Sequence, residues 1–281
     1  MEIQFEGVSA DYQIGPIRRK SILDTVNLHI QKGSFTAVIG HAGAGKTSLI
    51  KAMNGLLMPH TGKVKIDGIT VEEDTRRLIC KKVGMVFQFP ESQLFAETVE
   101  KDICFGPLNF GVALQEAKTI AKKVIQQVGL SENILGNSPF SLSGGQKRRV
   151  AIAGILAMEP EVLVLDEPGA GLDRNGKKEL FTLLTDLNLH HHLTIVMVTH
   201  DMKDVIDYAD NVVIMENGKV VMHCNVRNAF SNLELINKWS LYLPDVLSLQ
   251  MKIEKEIGRK LSMKCLTVEE LSEAIIAADI I

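Results

Sequence analysis

The chain has 281 residues, 46% of them hydrophobic and 23% charged, a composition that argues against disorder and leaves room for one large core or two smaller ones. A formal net charge of -3 gives no basic excess to neutralise a phosphate backbone, so nucleic acid is not an expected partner. The four cysteines, Cys80, Cys104, Cys224 and Cys265, lack C-x-x-C spacing, which suggests neither a zinc site nor a disulfide framework and fits a reducing cytosol.

In chain order, the opening Met1-Glu2-Ile3-Gln4-Phe5-Glu6 carries acids where an export signal needs a basic and then an apolar segment. The expectation is a chain that is not exported. Apolar runs such as Val162 to Leu165 and Ile195 to Val198 fall far short of the ~20 residues a membrane helix needs, so any membrane role is expected to come through a partner. Residues 1 to 35 alternate apolar and polar (Ile3, Phe5, then Val26, Leu28, Ile30) and read as half-exposed antiparallel strands broken at Gly15-Pro16. Short apolar runs follow at Phe35 to Ile39, Val83 to Phe87, Val162 to Leu165, Thr194 to Val198 and Val212 to Met215, separated mostly by helical patterns, as in a buried parallel sheet.

Asp67-Gly68 and Asn217-Gly218 mark tight hairpins between apolar stretches. Leu114, Ala117, Ala121, Val124, Ile125 and Val128 recur at helical spacing and predict one buried face on an inserted helix. After Cys224 the strand signals stop. Two helical patterns remain, the second opening on Thr267-Val268-Glu269-Glu270, which fits a capping box, and a domain boundary is expected near residue 225.

Gly40-His41-Ala42-Gly43-Ala44-Gly45-Lys46-Thr47 matches the Walker A pattern G-x-x-x-x-G-K-[ST], between a predicted strand and a predicted helix that continues through Ser48. Glycines let consecutive N–H groups curl around phosphate oxygens, Lys46 reaches the outer phosphates and the Thr47 hydroxyl ligates magnesium. A chance match in a chain of this length is on the order of 1%. Val162-Leu163-Val164-Leu165-Asp166-Glu167 reads as a buried strand ending in two acids, with Asp166 on magnesium and Glu167 as general base. A run of three histidines, His190-His191-His192, sits at an expected helix-to-strand loop and is read as solvated polar residues rather than a metal site.

Leu142-Ser143-Gly144-Gly145-Gln146, taken alone, is a turn with Ser143 as helix cap. About twenty residues before Asp166 and Glu167, it resembles the signature of the ABC ATPases, and the other markers of that family follow in order. Gln88 resembles the Q-loop glutamine, Gly171-Leu172-Asp173 the D-loop and His200 the switch histidine, while Tyr12 lies where the family keeps an aromatic against adenine. The resemblance implies that Glu167, His200 and Gln88 serve catalysis and that Gln88 joins Thr47 and Asp166 at magnesium. It also implies that Ser143, Gly144, Gly145 and Gln146 contact the nucleotide of an opposite subunit, so that a second ABC ATPase, identical or homologous, completes a dimer.

The stretch Val86-Phe87-Gln88-Phe89-Pro90-Glu91-Ser92-Gln93-Leu94-Phe95, with Phe105-Gly106-Pro107-Leu108-Asn109-Phe110-Gly111, is similar to the ATP-binding subunits of energy-coupling factor transporters, and most to the second of their two ATPase types. The similarity runs from about residue 3 to 224, with Leu243-Pro244 and Leu266 to Leu271 agreeing more loosely. Gly169 departs from the threonine that usually follows Glu-Pro. The resemblance implies an α/β P-loop nucleotide-binding domain over 1 to 224, with an antiparallel β layer and a helical subdomain about 90 to 160. A small helical domain over 225 to 281 would make dimer contacts. The implied cofactors are ATP and Mg2+. The implied partners are a transmembrane coupling protein and a substrate-binding membrane subunit, with the chain peripheral on the cytoplasmic side of the cell membrane and ATP hydrolysis driving uptake of vitamins, other micronutrients or transition-metal ions.

ABC ATPases of DNA repair and chromosome maintenance share these core motifs but place long coiled coils between Walker A and the signature. Here 96 positions separate Thr47 from Ser143, without sustained heptads. The loop after Gln88 also sets the chain apart, by resemblance, from exporter and amino-acid importer ATPases.

Overall fold

The computed structural model describes residues 1–14, 17–231 and 244–278, and the side chains of all of these except 12–21 and 231. The expected break at Gly15-Pro16 and the residue Leu243 lie outside the described residues. Strands β1 (Ile3–Ile14) and β2 (Ile17–Ile30) pair antiparallel, and β4 (Thr61–Ile66) and β5 (Ile69–Thr70) extend them into a four-stranded sheet of order β2-β1-β4-β5. Along β2, Val26, Leu28 and Ile30 are buried while Thr25, Asn27 and His29 are exposed, the period-2 pattern of a sheet covered on one face.

The second sheet has six strands in the order β10-β9-β3-β8-β7-β6, parallel except for β10 (Lys219–Asn225) against β9 (Asn211–Glu216). Its inner strands β3 (Phe35–Ile39), β7 (Val162–Asp166) and β8 (Thr194–Val198) and its edge strand β6 (Val83–Val86) are buried at every position. Alternation splits them between two cores. Phe35, Ala37, Leu163, Leu165, Ile195 and Met197 face one core; Val38, Val162, Val164, Val196 and Val198 face the other, with Leu49, Ile50 and Met53 of α1 (Lys46–Met53) and the antiparallel sheet. Both Asx-Gly pairs are hairpin turns with positive φ at each residue, 51° and 79° at Asp67-Gly68 and 48° and 80° at Asn217-Gly218.

A helix α2 (Arg76–Lys82) precedes β6, and α3 (Val99–Asn109), α4 (Leu114–Gln127) and α5 (Gly144–Leu156) form the insertion between β6 and β7. On α4 the residues Ala117, Ala121, Val124 and Ile125 are buried as the periodicity predicts, but Leu114, at the open end of the helix, is 57% exposed. Helices α6 (Arg174–His191) and α7 (Met202–Tyr208) lie on the same core, where the Phe181 and Tyr208 rings stack at 4.4 Å.

Beyond β10 the chain does not form an isolated unit. Val226, Ala229 and Phe230 of α8 (Val226–Ser231) enter the main core, as do Leu247 of α9 (Asp245–Ile257) and Leu266. Leu261, Cys265, Leu271 and Ala274, the last two on α10 (Val268–Ala277), make a small cluster of their own. The capping box expected at Thr267 forms only in half. Thr267 Oγ1 accepts from Glu270 N at 3.2 Å, but Glu270 Oε2 accepts from Leu266 N at 2.8 Å, and its other oxygen pairs with Arg227. The carboxylate is held by its ion pair and takes the donor one residue earlier.

Candidate nucleotide site

The site is built at the carboxyl ends of three adjacent parallel strands. Val38 of β3 and Asp166 of β7 both lie opposite Val198 of β8, so the loops leaving these strands open at one edge of the sheet. Val86 of β6 pairs with Leu165, which brings the exposed Gln88 out beside the end of β7.

The first loop, residues 40 to 45, is fixed by its backbone. Gly40 and Gly45 have φ of 149° and 102°; a Cβ at Gly40 would sit 2.3 Å from Met215 O, and one at Gly45 would sit 2.8 Å from Ile22 O. Only glycine fits both the conformation and the space. The turn at Asn217-Gly218 braces the loop, with Gly218 N donating to Ala44 O at 2.9 Å. Gly45 caps α1 without a side-chain hydrogen bond, and the first turn of the helix carries no acid, leaving its N–H groups and positive dipole end for an anion. His41, Ala42 and Gly43 are exposed on the rim, whereas Ala44 and Ser48 are buried.

Lys46 Nζ donates to Gly40 O at 2.8 Å and His41 O at 3.0 Å, folded over the loop. Burial lowers its pKa, and the nearby carboxylates of Glu167 and Asp166 oppose that shift. Thr47 Oγ1 donates to Asp166 Oδ2 at 2.9 Å, and Glu167 Oε2 lies 2.8 Å from His200 Nδ1. The two motifs, 119 positions apart at Thr47 and Asp166, thus meet directly.

Glu167 stands at φ 50°, a left-handed conformation rare for such a side chain, held by its own N–H to Val198 O at 3.0 Å and by Ala170 N to its carbonyl at 3.1 Å. The sequence carries no signal of this. From this position the carboxylate meets His200, whose side chain is 74% exposed.

The signature residues lie apart. Ser143 caps α5, its Oγ accepting from Gln146 N at 3.3 Å while Gln146 Oε1 accepts from Ser143 N at 3.0 Å. Ser143 and Gly144 face solvent, and Gly145 and Gln146 are half-exposed. Tyr12 pairs through its backbone with Arg19, and its side chain lies outside the described residues. His190 and His191 close α6, with His190 Nδ1 on Asp186 Oδ1 at 2.9 Å, and His192 caps the helix at φ 54°; the triplet ends the helix instead of forming the loop expected there.

A sequence profile described as ABC transporter matches residues 23–170. The chain is 49% identical over 280 residues, 98% of its length and 96% of the relative's, to the energy-coupling factor transporter ATP-binding protein EcfA2 of Geobacillus kaustophilus. It is 47% identical over 98% of its length, and 96% of the relative's, to the protein of the same name in Enterococcus faecalis. This chain belongs to the energy-coupling factor transporter ATP-binding family of the ABC ATPases.

Solved structures agree with the membership. The cbiO1 protein of Clostridium perfringens, described as part of the ABC transporter complex cbiONQ, superposes with a TM-score of 0.74 at 33% identity over 91% of this chain and 98% of that one. The cassette MJ0796, solved as a dimer in a post-hydrolysis state bound to ADP and Pi, superposes with a TM-score of 0.70 at 29% identity over 80% of this chain and 99% of that one. As a family member, the chain is an ATPase subunit of an energy-coupling factor ABC importer. Among the described residues no helix is long and apolar enough to cross a membrane.

One residue at this site carries weight that sequence reading missed. Arg148 reads there as one of three basic residues after the signature, yet it is 3% exposed and bound on three sides. Leu94 falls in the loop after Gln88 but is 8% exposed and part of the main core.

Proposed function

We propose that this chain binds MgATP in the loop 40–48 and hydrolyses it after closing against a second ATPase subunit. The observation that carries the reading is the pair of contacts at one sheet edge, Thr47 to Asp166 at 2.9 Å and Glu167 to His200 at 2.8 Å. The N–H groups of the glycine loop and the start of α1 bind the phosphates, and Lys46 exchanges its carbonyl partners for the outer phosphate oxygens. Thr47, Asp166 and Gln88 offer a hydroxyl, a carboxylate and an amide oxygen, a donor set suited to Mg2+, which neutralises phosphate charge when bound. Glu167 takes the proton of the attacking water, and His200 orients that carboxylate through Nδ1. Tyr12 stacks on the base. Ser143, Gly144, Gly145 and Gln146, at the exposed or half-exposed start of α5, reach the nucleotide held by the opposite subunit.

The membrane partner docks beside Gln88. There a groove of about 460 Å3 is lined by Leu56, Phe87, Phe95, Phe105, Phe110 and Met158. Phe95 and Phe105 are 60% and 51% exposed and meet edge-on at 4.9 Å. Exposed aromatics in a groove suit an amphipathic helix of a transmembrane coupling protein, which in turn holds a substrate-binding membrane subunit. The chain is peripheral on the cytoplasmic face of the cell membrane. In the region 225–281, Leu249, Val268 and Ile276 are 51%, 67% and 65% exposed and supply dimer contacts.

Glu167→Gln tests the hydrolytic reading, because the amide keeps the shape and cannot accept the proton. Hydrolysis in the assembled transporter falls at least about 100-fold while ATP binding persists. Loss of ATP affinity with the same substitution would instead make Glu167 structural.

A further inference from the structure

Arg148 sits in the first turns of α5, five residues after Ser143, and is nearly inaccessible to solvent. Its guanidinium is divided between two loops. Nε donates to Glu91 Oε2 at 2.9 Å and Nη2 to Glu91 Oε1 at 2.8 Å, a bidentate pair with the loop after Gln88. Nη1 donates to Pro168 O at 3.0 Å and Ala170 O at 2.8 Å, both in the turn that follows Glu167. Burial pushes the Glu91 carboxyl pKa up, but its hydrogen bonds, chiefly those from Arg148, hold it below the usual range, so the pair stays ionic.

A second contact joins the same two loops independently. Phe89, at φ 54°, places its ring on Gly171; a Cβ there would come within 3.2 Å of Phe89 Cε1. Residues 89 and 91 of one loop are therefore fastened to residues 168, 170 and 171 of the other. One end of this assembly borders the apolar groove, where Pro90 is part of the lining. The other end is the turn that holds Glu167 in its left-handed conformation through Ala170 N and runs on to Asp173, the cap of α6. Arg148 itself extends from the helix that carries the signature.

We propose that Arg148 is a positioning residue that locks the groove loop, the signature helix and the turn after Glu167 into one body, so that a shift of the groove loop re-aims the hydrolytic edge. A buried fork with four hydrogen bonds is suited to this, because its partners cannot move separately without leaving a desolvated charge unpaired. Lysine cannot replace it, having a point charge where the site uses a planar fork. The inference rests on the hydrolytic role proposed for Glu167.

The test measures ATP hydrolysis by the assembled transporter against ATP concentration for Glu91→Gln, Arg148→Lys and the double variant, with Glu167→Gln as a control. Glu91→Gln leaves Arg148 one side-chain acceptor and both backbone carbonyls, which makes it the milder of the two changes. Each single substitution is expected to lower kcat about tenfold with KM for ATP within about twofold, and the double variant to fall no further than the lower single. A double variant whose losses multiply, or a KM that rises in step with the fall in kcat, overturns the proposal. Should Arg148→Lys fail to fold, Glu91→Gln decides alone: lowered kcat at fixed KM supports the coupling, and unchanged kcat removes it. A Glu167→Gln enzyme that still hydrolyses ATP would place the error in the hydrolytic reading and not in Arg148.

Discussion

The glycine loop 40–45 and the loop after Gln88 leave the same edge of one sheet, with two strands between them, yet they are held in opposite ways. Residues 40 to 45 are shaped by backbone, with glycines pressed on the carbonyls of Met215 and Ile22 and a hydrogen bond from Gly218 to Ala44. Residues 88 to 95 are shaped by side chains: the Glu91 pair with Arg148, the Phe89 ring on Gly171 and the buried Leu94. A cradle for an invariant ligand such as a phosphate gains from a rigid frame. A loop that reports to a partner has to move together with the elements it informs, and the side-chain links through Arg148 and Phe89 supply that connection.

The largest effect separating the two loops comes from adding one methyl group. Gly45→Ala forces a Cβ to 2.8 Å from Ile22 O at φ 102°, and the strain of about 1–3 kcal/mol opens the loop and abolishes ATP binding, measured by nucleotide titration. Gly145→Ala, in the signature, meets nothing within 4 Å and has no positive φ. It folds and binds ATP in its own site as before, and weakens only ATP-driven pairing of subunits, measured by size-exclusion chromatography. Equal ATP affinity in the two variants would erase the contrast.

A charge in the side-chain-held loop sharpens it next. Phe95→Glu keeps the fold, because Phe95 is 60% exposed, and is expected to cut recovery of the membrane subunit at least about tenfold with ATP binding intact. Leu94→Glu buries an unpaired carboxylate in the core and is expected to unfold the protein, so it reports on stability and not on docking. A Phe95→Glu chain that copurifies with its partner at the normal level places the docking surface elsewhere.

The smallest expected effect concerns the loop after His200, also held by side chains. Lys177 Nζ donates to Asp201 Oδ2 at 2.5 Å and Asp204 Oδ1 at 2.8 Å. Burial, against the pull of Lys177, raises the Asp204 pKa to about 6 from 3.8. A carboxyl whose folded pKa is raised favours the folded state below its unfolded pKa and loses that contribution as pH rises through the folded value. Wild-type stability therefore carries a falling contribution from pH 4 to pH 6 that Asp204→Asn lacks, while Lys177 keeps Asp201. The stability of Asp204→Asn relative to wild type should rise across that window in denaturant titrations and stay level above it. A flat difference from pH 4 to 7 would mean that Asp204 titrates normally.

The sequence by itself determined the glycine loop 40–45, the strand ending at Asp166, the Ser143 helix cap and the parallel sheet. Each depends on local rules: glycine where φ is positive, apolar runs where both strand faces are covered, a serine three residues before glutamine at a helix start. Such rules act over a few neighbouring residues, so the residues announce the features. Tertiary structure alone decided which of the basic residues 147 to 149 is buried, that Leu94 is core while Phe95 is not, and that Glu167 turns left-handed. It also drew Phe230, Leu247 and Leu266 into the main core across the boundary expected near 225, and gave Glu270 to Arg227. These outcomes depend on which distant groups face a side chain, and local spacing does not encode that: Arg148 differs from Arg149 only in pointing toward Glu91 and two carbonyls 57, 20 and 22 positions away.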